Sequence, residues 1–184
     1  MEVNNYSGGA WRGLIRNLCF IAFGITAFYN PVDPLNPYSI GFGVVVGMLL
    51  GWLFKKFLRG FLGAVNSKLK QEKGKKVIYY AVDNGMLFLI PFAAMVLMAT
   101  FVLEWSMTSG FISAGIMAVG TTAAIEIGKI IGKRDIKNTV IASGISFLFS
   151  LTWTLSAHIL VKAPGLVEGG ISLLRSILSQ GGGS

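Results

Sequence analysis

The sequence is poor in the residues that enzymes use for covalent and metal chemistry. Its 184 residues include one cysteine, Cys19, and one histidine, His158. A single cysteine excludes a disulfide within the chain and a paired-thiol metal site. The sequence also has no phosphate-binding glycine loop with its lysine. It therefore predicts a protein that is not an enzyme and has no catalytic residue, cofactor or metal.

Charged residues are scarce as well. They make up 13% of the chain, whereas hydrophobic residues make up 53%. This composition leaves too little polar surface to cover a soluble globule of this length. The net charge of +8 would suit nucleic-acid binding, but no nucleic-acid module surrounds the basic residues. We therefore expect a membrane protein that has no nucleic-acid partner.

The basic residues are unevenly distributed. Of the 16 lysines and arginines, all except Lys162 and Arg175 lie in the stretches 12–16, 55–76 and 129–137. Long apolar runs separate these stretches, and the positive-inside rule makes their shared side cytoplasmic. The sequence thus predicts a multi-pass protein of the cytoplasmic (inner) membrane, with anionic lipids as the counter-charge on that side.

The apolar runs predict an all-α membrane protein. Its single transmembrane helical domain, residues 1–163, is expected to be a bundle of five transmembrane helices, with the N-terminus inside and the C-terminus outside. The expected spans are about 13–29, 38–56, 77–103, 110–131 and 139–161. The first span is short and crosses the bilayer only if Arg16 extends back to the headgroups.

Two amphipathic segments extend this bundle. Helical spacing of apolar residues continues beyond the second span, with basic residues on the other faces at Lys55, Lys56, Arg59 and Lys68. We expect this cytoplasmic extension to bind anionic lipid or, alternatively, a protein partner. Residues 164–179 predict an outer amphipathic helix lying on the membrane. Residues 180–184 are expected to be a flexible tail or linker.

Small residues recur every four positions in the second and fourth spans. They are Gly43, Gly47 and Gly51, followed by Gly120, Ala124 and Gly128. Such stripes let helices approach closely in lipid, where association relies on packing rather than on apolar burial. The stripes predict packing within one chain or, alternatively, a subunit interface or pore lining in a homo-oligomer.

Two carboxylates lie inside predicted spans. Asp83 and Glu126 are expected at similar depths on consecutive antiparallel helices, where charge is costly and usually faces a partner or water. They could bind a cation or share a proton, with neutral oxygens from Asn84, Thr121 and Thr122. Alternatively, Glu126 pairs with Lys129 three residues later, Asp83 reaches the headgroups, and the threonines bond to carbonyls four residues earlier.

A further pair is expected at the outer end. Glu104 and His158 could meet across neighbouring helices and form a pH-responsive contact, because histidine titrates near neutral pH. The alternative is two solvated side chains at the membrane interface.

Two functions are consistent with these features. The first is an oligomeric channel or transporter-like path for a small ion or solute, with the intramembrane carboxylates as its polar site. The alternative is a non-catalytic subunit that anchors a larger protein complex to the membrane.

Overall fold

Five α-helices form the described part of the chain in a computed structural model. The structure describes residues 9–30, 32–68, 72–101, 107–132, 136–162 and 172. The helices are α1 (Gly9–Ala27), α2 (Pro37–Lys68), α3 (Glu72–Phe101), α4 (Met107–Ile131) and α5 (Ile136–Lys162). The all-α prediction is confirmed for these residues. Apart from Ser172, the expected amphipathic helix at 164–179 lies outside them, as does the tail at 180–184.

Four of the helices are long and apolar enough to cross a membrane. The stretches are Pro37–Ala64, Val77–Phe101, Gly110–Ile131 and Asn138–Leu160, and the shortest has 22 residues. At 1.5 Å per residue, 22 residues cover about 33 Å, which matches the hydrocarbon thickness of a bilayer. The chain therefore has the helix lengths and composition of a multi-pass membrane protein.

The outer surface of α2 agrees with this class. Val45, Met48, Leu49 and Trp52 are each more than half exposed, although all are apolar. A continuous apolar patch of this kind is rare on soluble monomers. It is the surface expected of a helix in contact with lipid.

The first helix differs from the other four. It is not one of the four helices that are long and apolar enough to cross a membrane. Helix length and composition therefore support four of the five predicted crossings. Helix α1 carries Arg12, Arg16 and Asn17, which lower its apolar character. Its apolar side chains are nevertheless deeply buried, with Phe20 and Phe23 at 0% exposure. Neighbouring helices therefore cover much of α1.

Helices α1 and α2 form an antiparallel hairpin. Asn36 begins α2 as its N-cap: its Oδ1 accepts hydrogen bonds from the backbone N–H groups of Tyr38, at 2.9 Å, and Ser39, at 3.3 Å. Pro37 suits the first helical position because that position needs no backbone donor. The side chain of Asn36 also donates to Asp33, which fixes the connecting loop.

Helix α2 does not stop at its first lysines. It continues to Lys68, so the helical extension predicted beyond residue 56 is present. Phe54, Leu58 and Leu62 are buried at successive four-residue steps, whereas Phe57 and Phe61 are 58% and 41% exposed. Only some of the regularly spaced apolar residues of the extension therefore face the interior of the bundle, and the others are exposed. Its position on a membrane surface stays a prediction.

Candidate functional site

A charged cluster joins α3 to α4. The Lys129 ammonium donates to Asp83 Oδ2 at 3.1 Å and to Glu126 Oε1 at 2.6 Å. The side chains are partly shielded, with 14% exposure for Lys129, 25% for Asp83 and 31% for Glu126. One cation therefore holds two carboxylates from different helices, and all three groups remain within reach of solvent.

Local sequence explains one of the two ion pairs in this cluster. Glu126 and Lys129 are three residues apart on α4, so their side chains meet on one face of the helix. Lys129 lies in the last turn of α4, where a cation is favoured by the free carbonyls. The residue spacing predicted the Glu126–Lys129 pair as an alternative to a cation site. The structure contains this pair and brings Asp83 to the same ammonium.

Arg16 adds a second cation near the cluster. Its guanidinium lies 4.4 Å from the ring centroid of Phe54, in a cation–π contact. It also interacts electrostatically with Asp83. With Lys129 and Glu126, these groups comprise two positive and two negative charges. The sequence predicted that Arg16 reaches the headgroups. Its position over the Phe54 ring depends on how α1 packs, which residue spacing alone does not show.

None of the three neutral oxygens predicted for this site is hydrogen-bonded to the cluster in the described part of the chain. Thr122 Oγ1 donates to the backbone carbonyl of Ala118 at 2.8 Å, which is the back-bonding alternative. Thr121 Oγ1 and Asn84 Oδ1 are buried and have no hydrogen-bond partner in the described part of the chain. Within that part, no group of three or more histidine, cysteine, aspartate or glutamate side chains could hold a metal ion.

Both small-residue stripes face the interior of this chain. Gly43 lies against the α1 backbone, where an added Cβ would be 2.6 Å from Ile25 Cα, and Gly47 lies against Phe20 and Ile21. An added Cβ at Gly51 would come 2.5 Å from Asn17 Oδ1. These positions agree with the alternative of packing within one chain. An interface between copies would have to use other surfaces.

The second stripe packs against α1 and α5. Gly120 lies under the Trp153 ring, and Gly128 contacts Ser146 and Ile15. Ala124, between the two glycines, is fully buried. Helix α4 is thus held close to both of its neighbours.

The basic residues on α2 remain at the surface. Lys55, Lys56 and Arg59 are exposed, and the Lys56 ammonium lies 5.0 Å from the Trp52 ring centroid. The side chain of Lys68 lies outside the described residues. Lys55, Lys56 and Arg59 are at the same end of the bundle as the charged cluster, which we call the basic end.

Of the predicted outer pair, the structure describes His158, which is buried. Its side chain is 1% exposed, so it is not the solvated interfacial group of the alternative interpretation. The ring stands edge-on to Tyr29, with centroids 6.2 Å apart. Glu104 lies outside the described residues, so its contact with His158 stays a prediction.

A buried polar stripe on α5 was missed by sequence analysis. Its members are Ser143, Ser146, Ser150, Thr154 and His158, and none is more than 4% exposed. They recur at steps of three or four residues, which places them on one helix face. That spacing is visible in the sequence and could have identified an inward-facing side of α5. We call this stripe, together with Cys19, Thr26 and Tyr29 on the α1 side and Thr121 on α4, the polar seam.

No family model, no curated protein and no solved structure matches the chain. Function must therefore be inferred from the residues and their geometry.

Proposed function

We propose that the protein provides a path for a small ion across the membrane, with the charged cluster as its gate. The observation that carries this proposal is the position of the Lys129 ammonium between Asp83 and Glu126. A pair of carboxylates that binds an ammonium has the charge and the oxygen atoms to bind another small cation or a proton. The permeating species would bind at these carboxylates in exchange for Lys129, so passage requires both of them.

Three features support such an exchange. Carboxylates inside membrane spans are rare and usually have a partner, a water-filled cavity or an ion pathway nearby. Asp83 and Glu126 are about one quarter to one third exposed, so an ion can reach them. Lys129 and Arg16 together balance their charge in the closed state. In this proposal, α1 crosses the inner membrane with the other four helices, the basic end is cytoplasmic, and copies associate through the outer faces of the bundle.

Ion flux tests the proposed function. Purified protein in liposomes should pass a small cation, and flux should fall about tenfold in Asp83→Asn and Glu126→Gln because loss of one charged ligand removes about 1.4 kcal/mol or more of binding. The matched control is Asp33→Asn, which alters an exposed loop carboxylate and should leave flux unchanged. Wild-type flux equal to that of empty liposomes for all common small ions would refute the proposal.

A second function is favoured by the surface of α2. This helix extends past its apolar span and presents Lys55, Lys56 and Arg59 outward. A rigid basic helix end can bind anionic lipid headgroups or an acidic protein surface. In this alternative, the protein anchors a larger complex and conducts nothing.

Charge reversal separates the two functions. If the protein is an anchoring subunit, replacing Lys55, Lys56 and Arg59 with glutamate should abolish co-purification of its partner, because attraction becomes repulsion. Asp83→Asn should retain the partner. Isolation of the chain as a homo-oligomer alone, under every solubilisation condition, would contradict the anchoring role.

A further inference from the structure

The contacts of the polar seam follow the same order along α5 and along α1 with the residues just after it. Ser150 Oγ donates to the backbone carbonyl of Cys19 at 3.3 Å. One helical turn further along α5, the hydroxyls of Thr26 and Thr154 are 2.9 Å apart. Another turn brings His158 beside Tyr29. The two helices therefore run parallel, with polar groups at each successive level.

Helix α4 closes the third side of the seam. Gly128 lies against Ser146 and Gly120 against Trp153, which sets an antiparallel register between α4 and α5. In that register, Thr121 is level with the segment between Ser150 and Thr154. From Ser143 to His158 the seam extends about 22 Å at 1.5 Å per residue, which is most of the hydrocarbon thickness.

Three hydroxyls in the seam have unmet hydrogen-bonding capacity. The Oγ atoms of Ser143 and Ser146 and the Oγ1 atom of Thr121 are buried with no partner among the described residues. Ser146 and Thr121 are both 0% exposed. Buried polar atoms are rarely left unpaired, and ordered water commonly satisfies those that protein groups do not. Ser143 and Ser146 precede the paired levels, towards the basic end, and Thr121 is level with the segment between Ser150 and Thr154. The unmet groups therefore extend from the basic end to the middle of the seam, and they point to a ligand distributed along that part.

We propose that the polar seam binds a file of water molecules that carries protons between the basic end and His158. This inference rests on the proposed transport function and names its ion and its route. Each water accepts a proton from one neighbour as it passes another proton onward, so one O–H bond breaks for each that forms. At the end of the file, the imidazole of His158 can take up a proton and release it.

The chemistry of the seam favours protons over larger cations. Its described side-chain oxygens are neutral hydroxyls, whereas a dehydrated metal cation is stabilised by carboxylates and many oxygen ligands. The helices also approach too closely at Gly128 and Gly120 for a hydrated ion to pass.

Proton flux in liposomes tests the route. Ser146→Ala and Thr154→Val should each slow acidification about fivefold, the rate equivalent of one lost hydrogen bond. Thr152→Val and Ser156→Ala are matched controls, because both residues are exposed on the same helix, and they should leave the rate unchanged. Sodium and potassium flux is measured in the same preparations.

The outcomes separate this inference from the proposed function. Proton flux that is lost in Asp83→Asn but unchanged in Ser146→Ala and Thr154→Val would overturn the water file and leave the gate. Sodium or potassium flux that depends on Asp83, without proton flux, would also overturn the water file and leave the gate. Absence of any flux would overturn both proposals.

Thermal stability supplies a readout that does not depend on transport. If water satisfies Ser146, its replacement by alanine should lower the melting temperature or leave it unchanged, because a bonded group is lost. If Ser146 is dry and unpaired, the same substitution should raise the melting temperature, because an unsatisfied group is removed. A clear increase would therefore overturn the water file even if flux were impaired.

Discussion

Replacing Gly47 with alanine should destabilise the α1–α2 hairpin strongly. An added Cβ would be 2.5 Å from the Phe20 carbonyl oxygen and 2.7 Å from the Ile21 nitrogen. These are backbone atoms, so the two helices must separate rather than a side chain rotate. Overpacking of this kind typically costs about 1–3 kcal/mol. The measurement is the free energy of unfolding in mixed micelles.

Gly41 provides the matched control on the same helix. An added Cβ at Gly41 would meet nothing within 4 Å. Gly41→Ala should therefore leave stability unchanged or raise it by up to about 1 kcal/mol, because alanine favours the helix more than glycine does. Equal effects of Gly41→Ala and Gly47→Ala would contradict the close approach of α1 and α2.

Replacing Lys129 with methionine should have the second large effect. The substitution keeps an unbranched side chain one atom shorter but leaves Asp83 and Glu126 without their shared cation. Breaking a fully buried ion pair costs about 3–5 kcal/mol, whereas an exposed pair contributes less than about 1 kcal/mol. Because the cluster is partly exposed, we expect a loss of about 2 kcal/mol in the free energy of unfolding.

Neutralising the partners should recover much of that loss. In the triple variant with Lys129→Met, Asp83→Asn and Glu126→Gln, no uncompensated charge remains, and removing a whole ion cluster is often close to neutral. The triple variant should thus be more stable than Lys129→Met alone. A Lys129→Met protein as stable as wild type would show that the cluster does not hold α3 to α4.

The sequence was sufficient for some parts of the fold because they depend on local composition. Predominantly apolar spans of about 19 to 27 residues mark α2 to α5 regardless of their partners. The position of α1 depends instead on which helix covers its polar groups. Arg16 and Asn17 suggested a helix end near the headgroups, whereas α2 and α5 bury the residues that follow them.

The candidate site was likewise predictable from local sequence only in part. Glu126 and Lys129 are neighbours on one helix, so their spacing indicates a pair. The contact between Lys129 and Asp83 requires the packing of α3 against α4. Counting residues along each predicted span gives the depth of the two side chains only approximately. Ser150 and Thr154 repeat at helical spacing, but their partners on α1 follow only from the parallel register of two helices that are distant in the chain.

Labelling from one side of the membrane tests the central claim most directly. In a Cys19→Ala background, single cysteines are introduced at Leu35, which is exposed in the loop between α1 and α2, and at Arg59, at the basic end. An impermeant maleimide should label Leu35→Cys in intact cells and Arg59→Cys only after permeabilisation, because α2 crosses the bilayer between them. Labelling of both positions from the same side would contradict the account.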